Sequence, residues 1–513
     1  MNFYELFSEV DDYGKYQKLM IWFVLFPAQL PYLCQLYCHL FMSITPDHWC
    51  RMSLLESFNV TEQFSRHLFV PKKDNILHSL QYEQCFVYNI SYDALVEHSV
   101  QIGWIPNQTW PITRCSQGWI YNRTFLGDDH SIVTKWDLVC DRAFLQMIPI
   151  IAYFSGSFTG FIFGNILTTK FGMKFTYFFM LCIHCIFGTS IAFNNHFDIF
   201  SLMRFCVGLS VSNIALIPRC LSLELTSHER SANTLLLTDF WRNFGALLLV
   251  IISYMIRDFN HLTVAISVPF MVFILYYWVF PESPKWLIVN ERIEQVDRLV
   301  RDIATTNVTL LSPDFSITLR RRIQIECALQ SELKTSRSQP LLMKLLFLPN
   351  MRFKVITLCI LYITQSVTDI GFTYYVIEFS ESRGNGDIYF PFLVAIIANY
   401  FGLLIAWITL KYFGRKYTIS FGNILSAFFS LMSAFVKNKD INLCLIYYAS
   451  AKVFQSSSQS CLQVWSHELL PLSHYYSVIT FCETLSNLAL ISVPIVIFYV
   501  SFSSVTPFSS LLN

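Results

Sequence analysis

Charged and amide side chains recur inside otherwise apolar stretches of this chain, and their spacing places several of them on shared helical faces. Gln365 and Asp369 are four residues apart in Tyr362-Ile363-Thr364-Gln365-Ser366-Val367-Thr368-Asp369, a separation that stacks two side chains on one face of a helix. Asp239 and Arg242 are three apart, and Glu483 precedes Asn487 by one helical turn. A charge in hydrocarbon costs a few kcal/mol or more unless it meets water or a partner. Each of these residues therefore marks a polar path or an internal ion pair. Asp369 reads as an acid facing such a path beside Gln365 and Tyr362, or as a structural acid paired with a cation such as Lys452. Asp239 reads as half of a pair with Arg242, or as a group that meets a ligand.

The chemistry of such an array is recognition of charge rather than bond-making. No Gly-Lys-Ser phosphate loop occurs, which argues against an ATP-driven machine. His184 and His196, like Cys182 and Cys185, form no four-ligand array, and cysteine in apolar segments is usually plain packing. No metal, no cofactor and no enzyme activity are expected.

The elements that must position these groups follow from composition. Of 513 residues, 54% are hydrophobic and 14% charged, against roughly 25% charged in a soluble average. Mean hydropathy is +0.45. Net charge is +1, so nothing favours nucleic acid as a partner. About 20 apolar residues cross a hydrocarbon core of roughly 30 Å. Runs of that kind cover 19–42, 146–167, 175–193, 200–223, 235–256, 262–280, 355–377, 389–410, 418–436, 443–465 and 476–500. The spacing predicts an all-α membrane protein with about eleven transmembrane helices. Residues 1–18 are polar and precede no small-residue cleavage site, so the first helix itself inserts the chain.

Between the first and second runs the character changes. The polar segment 43–143 holds sequons at Asn59, Asn89, Asn107 and Asn122 together with Cys50, Cys85, Cys115 and Cys140. Clustered sequons and an even cysteine count point to a glycosylated extracellular loop with two disulfides, in any of three pairings. At the chain's midpoint, Pro281-Glu282-Ser283-Pro284-Lys285-Trp286-Leu287 ends an apolar run, because proline removes a backbone donor and clashes with the preceding turn. The segment 281–352 is polar and basic, with Arg320-Arg321-Arg322 at its centre, and reads as cytoplasmic by the positive-inside rule. Its sequon at Asn307 is then unused. The expected organisation is a cytoplasmic N-terminus (1–18), a first helix (19–42), the large loop (43–143), the rest of an N-terminal bundle (144–280), a central loop (281–352), a C-terminal bundle (353–500) and a short tail (501–513).

The Pro-Glu-Ser-Pro stretch resembles the signature that closes the sixth helix of sugar porters and organic ion transporters of the major facilitator superfamily. Cys115-Ser116-Gln117-Gly118-Trp119-Ile120-Tyr121, Ser131-Ile132-Val133 and Trp136-Asp137-Leu138-Val139-Cys140-Asp141 resemble the end of the large extracellular loop of solute carrier family 22, the organic cation, anion and carnitine transporters. The opening Glu5-Leu6 with Gly14-Lys15-Tyr16-Gln17 is similar to that family's amino terminus, and Arg204-Phe205 through Gly208 to Glu224 and Arg230 to its fourth helix. The resemblance implies two helical bundles around a mid-membrane cavity, rocking by alternating access, in the plasma membrane with lipid around it and a small organic ion as substrate.

Lys170-Phe171-Gly172-Met173-Lys174 and Lys411-Tyr412-Phe413-Gly414-Arg415-Lys416 occupy the family's gating turns. Thr169 stands where an acid is usual, Met173 where a cation is, and Lys411 where the second acid would be. Arg204, Glu224, Arg230, Glu282, Lys452 and Glu468 fall at conformational positions. Arg219, toward the end of the fourth run, reads as a snorkelling side chain. In the eleventh run the position that tends to carry charge in this family is Asn487, which is neutral, and Glu483 can restore a negative charge to that face. With Asp369 it tilts the expected substrate toward cations or zwitterions over anions. The segment 501–513 is too short for a twelfth span and lacks the family's closing Pro-Glu-Thr. The alternative is a non-transporting receptor or scaffold that uses its extracellular loop.

Overall fold

The computed structural model describes residues 13–51, 70–71, 84–89, 110–121, 131–309, 320–321, 349–383, 388–436, 441–470 and 472–505. Three of the four loop sequons, Asn59, Asn107 and Asn122, lie outside these residues.

The larger unit comprises Met1–His39, Met147–Ile256 and Asn260–Asn513. Its first half holds α1 (Lys15–Met42), α2 (Ile148–Phe171), α3 (Met173–Ser190), α4 (Phe197–Glu224), α5 (Ser231–Met255) and α6 (Phe259–Trp278). Two short helices follow, α7 (Pro284–Val289) and α8 (Ile293–Asn307). The second half holds α9 (Pro349–Arg383), α10 (Tyr389–Tyr412), α11 (Arg415–Val436), α12 (Ile441–Leu469), α13 (Leu472–Leu490) and α14 (Ser492–Val505).

Among the described residues ten helices are long and apolar enough to cross a membrane. The 29-residue α12 is long enough as well, but its run Gln455-Ser456-Ser457-Ser458-Gln459-Ser460 makes it polar. It accounts for the difference from the expected count of about eleven.

Local chemistry explains where these helices bend and stop. Pro27 cannot donate to the helical ladder, and α1 loosens there into a wide turn over Met20–Leu25 and a tight one over Pro27–Gln29. The break at Pro-Glu-Ser-Pro falls as the prolines require. The α7 helix restarts with Pro284 in its first turn, where a missing N–H costs nothing, and with the Ser283 hydroxyl accepting from Trp286 N at 3.1 Å.

The α2 and α4 helices touch backbone to backbone. A Cβ on Gly156 would strike the carbonyl of Phe205, one on Gly160 that of Leu209, and one on Gly208 that of Tyr153. Small residues spaced by four permit this approach, which suits helix association in lipid where dispersion and close packing replace the hydrophobic drive. It presses α4 and its buried Arg219 against α2.

At the N-terminal end of α1, Tyr16 packs against Leu287, Val296, Val300, Ile303 and Ala304 of α7 and α8. Tyr16 N donates to Asn307 Oδ1 at 2.8 Å, and Asn307 Nδ2 donates to Gln17 Oε1 at 3.0 Å. The Asn307 side chain is thus committed to the N-terminal segment.

The smaller unit, Leu40–Gln146 with Arg257–Phe259, contains two antiparallel ribbons. His48–Cys50 (β1) pairs with Trp119–Tyr121 (β4), and Phe86–Tyr88 (β2) with Ile112–Arg114 (β3). Disulfides join Cys50 to Cys115 and Cys85 to Cys140, selecting one of the three pairings open at the level of sequence. Two-stranded ribbons are marginal in water by themselves, and cross-links that constrain the unfolded chain supply a few kcal/mol each. Asn89 is exposed at the end of β2.

Candidate functional site

A cavity of about 80 Å³ lies in the larger unit between its two halves. Tyr32 and Tyr37 reach it from α1, Asp239 and Arg242 from α5, Tyr362, Gln365 and Asp369 from α9, Lys452 from α12, and Glu483 and Asn487 from α13. Every residue the sequence marks as a candidate for binding substrate is therefore on one wall or another of a single space. Its volume suits a few waters and falls short of the roughly 300–1,000 Å³ of a drug-sized ligand site.

Three ion pairs surround this space. Lys452 Nζ stands 2.6 Å from Asp369 Oδ1, Arg242 Nη2 2.9 Å from Asp239 Oδ1, and Arg219 Nη2 3.6 Å from Glu483 Oε1. Ser460 Oγ also donates to Asp239 Oδ2 at 2.9 Å, from the opposite half. Three acids thus balance three cations. Buried charges survive when they are paired, and each of these charges has a partner of opposite sign within the site.

A polar network runs from the cavity into the second half. Gln365 Nε2 donates to Asn423 Oδ1 at 2.6 Å and to Ser458 Oγ at 2.7 Å. Gln455 Nε2 donates to Thr368 Oγ1 at 2.7 Å and also to the Gln365 side-chain oxygen. Gln365 is held by this network as well as facing the cavity.

Contacts between the halves flank the space toward both ends of the helices. Toward the Met42 end of α1, the Tyr37 ring lies 5.1 Å from Phe392 and 6.5 Å from Tyr374, whose hydroxyl donates to Leu36 O at 3.3 Å. Toward the Gly172 end of α2, a hydrogen bond of 3.2 Å joins Thr168 Oγ1 and the Tyr476 hydroxyl. Asn399 Nδ2 donates to Asn243 Oδ1 at 3.3 Å between α10 and α5.

Residues 122–508, more than half of the chain, match the family described as "Sugar (and other) transporter". The chain belongs to that transporter family. It is 27% identical over 511 residues to the "Beta-alanine transporter" of Drosophila melanogaster, covering 97% of this chain and 82% of that one. It is 27% identical over 499 residues to the "Carcinine transporter" of the same organism, covering 96% and 72%. Further relatives are described as "Solute carrier family 22 member 27" of Mus musculus, "Organic cation transporter protein" of Drosophila melanogaster and "Solute carrier family 22 member 6-A" of Xenopus laevis, in agreement with the resemblance read from the loop and helix motifs. The fold is that of the xylose transporter XylE from E. coli in its "partially occluded inward open conformation", with a TM-score of 0.57, 16% identity, and coverage of 92% of this chain and 91% of that one. The protein is a multi-pass membrane carrier of the major facilitator superfamily and not an enzyme.

The α2–α3 and α10–α11 turns are each built around a carboxylate. Glu282 Oε1 accepts from Met173 N at 2.7 Å and Lys174 N at 3.1 Å, capping the N-terminus of α3 from a distant part of the chain. Burial pushes the Glu282 carboxyl above its ordinary pKa, against the pull of these backbone donors and of Lys174. Gly172 has φ of 96°, and a Cβ there would lie 2.5 Å from Glu282 Oε2. The turn therefore needs glycine for both backbone and space.

Glu224 accepts from Ser283 Oγ at 2.5 Å. Beside it, burial pushes Lys285 below its ordinary pKa, with the Glu224 charge opposing the shift. In the second turn Arg415 makes a forked contact with Glu468, Nε to Oε2 at 2.8 Å and Nη2 to Oε1 at 2.6 Å. Gly414 has φ of 78°. The acid of this contact comes from α12, not from position 411, where Lys411 is exposed, as are Lys416 and Lys170. Lys174 lies 4.8 Å from the Tyr277 ring centroid, and Arg230 4.9 Å from that of Tyr13.

Two arginines stand out in the carrier. Arg219 does not snorkel: it is buried and paired with Glu483 across the two halves. An arginine near a helix end normally reaches water, but here the end of α4 is enclosed by its neighbours. Arg204 is 1% exposed, with Nη1 donating to Cys38 Sγ at 3.1 Å and its guanidinium 5.0 Å from the Tyr153 ring centroid. The inter-half roles of Arg219 and Ser460 left no signal in local spacing. The glycines at 156, 160 and 164 did leave one, a four-residue stripe along α2.

Proposed function

We propose that this carrier moves a small zwitterionic organic ion, with its amine and carboxylate on separate ends, across the plasma membrane by alternating access. The observation that carries the reading is the charge balance of the three ion pairs at the cavity: Asp239, Asp369 and Glu483 on its wall, against Arg242 and Lys452 on the same wall and Arg219 just behind it. A lone cation or anion entering this site adds an uncompensated charge in a place of low polarity, at a cost of several kcal/mol. A zwitterion adds none, and each of its ends can exchange with one member of an existing pair. The relative described as a beta-alanine transporter supports the same class.

Alternating access is the motion that suits two halves bridged on both sides of a small cavity. In this reading the disulfide-bonded segment faces outward with Asn89 as a glycan acceptor, and α7 and α8 face the cytoplasm. Nothing favours a receptor or scaffold over a carrier. The test is counterflow in proteoliposomes loaded with unlabelled β-alanine. Accumulation of labelled β-alanine above protein-free vesicles supports the reading, and equal signals in both refute it.

A further inference from the structure

Arg219 on α4 and Glu483 on α13 come from opposite halves, and their charged atoms stand 3.6 Å apart. The other two cavity pairs are shorter, at 2.9 Å and 2.6 Å, and each lies within one half. Separation of the halves along this face must break the Arg219 contact and leaves the others whole. It is the longest of the three and joins the parts that move.

The site around it holds unused hydrogen-bonding capacity. Among the described residues Arg219 Nε has no hydrogen-bond partner, although the side chain is only 7% exposed. Among the described residues Gln463 Oε1 on the cavity wall has none either, and Tyr475 lies within electrostatic reach of the guanidinium. A guanidinium carries five N–H donors in a rigid fork that matches a carboxylate with two parallel bonds. Here it makes one long contact. Glu483 lines the cavity directly, and so does Tyr362, which interacts with Arg219. The arginine therefore sits one layer behind the surface that substrate meets.

We infer that the Arg219–Glu483 pair is an exchangeable lock that the substrate itself opens. The substrate carboxylate takes the guanidinium and its ammonium takes the Glu483 carboxylate. A zwitterion replaces both partners at once and leaves no charge stranded. A simple amine frees Arg219 with nothing to meet it, and a simple acid does the same to Glu483. Charge selection and the release of the two halves are then one event. This rests on the zwitterion reading above and assigns it to two residues, with Asn487 as the neutral bystander one turn away.

The experiment measures uptake of labelled β-alanine, propionate and propylamine by cells expressing the wild type, Arg219→Gln, Glu483→Gln and the exchange double R219E/E483R, each normalised to surface protein by biotinylation. Removing one partner of a charge-assisted contact costs roughly tenfold or more in affinity. Arg219→Gln is expected to lose β-alanine uptake by that factor and to gain propylamine relative to it. Glu483→Gln is expected to lose β-alanine alike and to gain propionate instead, and R219E/E483R to recover β-alanine. Uniform loss of all three probes in both single variants, or retention of the wild-type order, overturns the inference. Wild-type failure on every probe refutes the transport reading instead.

Where a neutral variant does not reach the surface, Glu483→Asp provides the test. Its carboxylate recedes by one methylene, so the preferred member of the series glycine, β-alanine, 4-aminobutyrate and 5-aminovalerate moves to the next longer chain. An unchanged optimum contradicts the assignment.

Discussion

Lys452 Nζ donates to Asp369 twice, to Oδ1 at 2.6 Å and to the backbone carbonyl at 2.8 Å, tying α12 to α9 at the wall of the cavity. The lysine is 2% exposed and the aspartate 17%. Of the two sequence readings of Asp369, the geometry shows the pairing with Lys452, and the acid also lines the cavity. Neutralising either partner strands a buried charge, which costs about 3–5 kcal/mol. Asp369→Asn and Lys452→Met are each expected to reach the surface at a small fraction of the wild-type level. The double variant D369N/K452M is expected to recover most of it. Surface biotinylation reads both, and full expression of either single variant contradicts the pairing.

Glu282 and Gly172 form a second linked unit. Gly172→Ala places a Cβ against the Glu282 carboxylate at a left-handed backbone position, and should lower stability by about 1–3 kcal/mol. Glu282→Ala leaves the α3 backbone donors of Met173 and Lys174 unpaired, at a similar cost. Glu282→Gln keeps an acceptor oxygen and is expected to fold. Fluorescence-detected thermal unfolding in detergent measures all three.

The same glutamate makes a pH dependence. Its folded pKa is raised by burial, so between the ordinary carboxylate value and the raised one the folded state holds more protons than the unfolded state. Stability then falls as pH climbs through that window and is flat above it. Glu282→Gln lacks this fall, so the wild type should lose stability relative to the variant on going from acid to neutral pH. A difference that does not move with pH contradicts the assignment.

Much of this architecture was legible from order along the chain. Apolar runs locate the spans because backbone hydrogen bonds must close within each segment in lipid, and Pro281 and Pro284 stop the helix for a reason local to proline. Gln365, Asp369, Asp239, Glu483 and Asn487 were legible as cavity residues because charge and amide groups in hydrocarbon need a reason. Partners were harder. Asp239 and Arg242 share a helical turn, so their pairing follows from spacing, whereas Arg219 and Glu483 meet only through packing of α4 near α13. For the same reason Arg219 looked like a residue reaching for water. The Arg415–Glu468 pairing is likewise set by packing, because its acid comes from α12, 53 residues away, and not from the turn that holds Lys411.

Close packing of α2 on α4 supports the site from behind. Gly160→Leu would drive a side chain into the backbone of Leu209, and overpacking of this kind costs about 1–3 kcal/mol or more. Expression should fall sharply, whereas Ile162→Leu on the exposed face of the same helix should be silent. Equal surface levels for the two variants contradict the close approach.

Asn89 and Asn307 offer a contrast in glycosylation. Asn89 is exposed beside its ribbon, and Asn307 is bonded to Tyr16 and Gln17. Asn89→Gln is expected to increase gel mobility by one glycan, and Asn307→Gln to leave it unchanged while loosening residues 13–18 in hydrogen exchange. A mobility shift with Asn307→Gln would place α8 on the wrong side of the membrane.

The central claim is that a charge-balanced cavity between two bundles carries a zwitterion. The most direct measurement is initial-rate uptake of labelled β-alanine, propylamine and propionate by cells expressing the unaltered carrier, with surface biotinylation on the same cells. Saturable β-alanine uptake, competed by unlabelled β-alanine and exceeding that of either singly charged analogue, is the predicted result. Full surface expression with a preference for propylamine or propionate, or with no saturable uptake of any of the three, would contradict it.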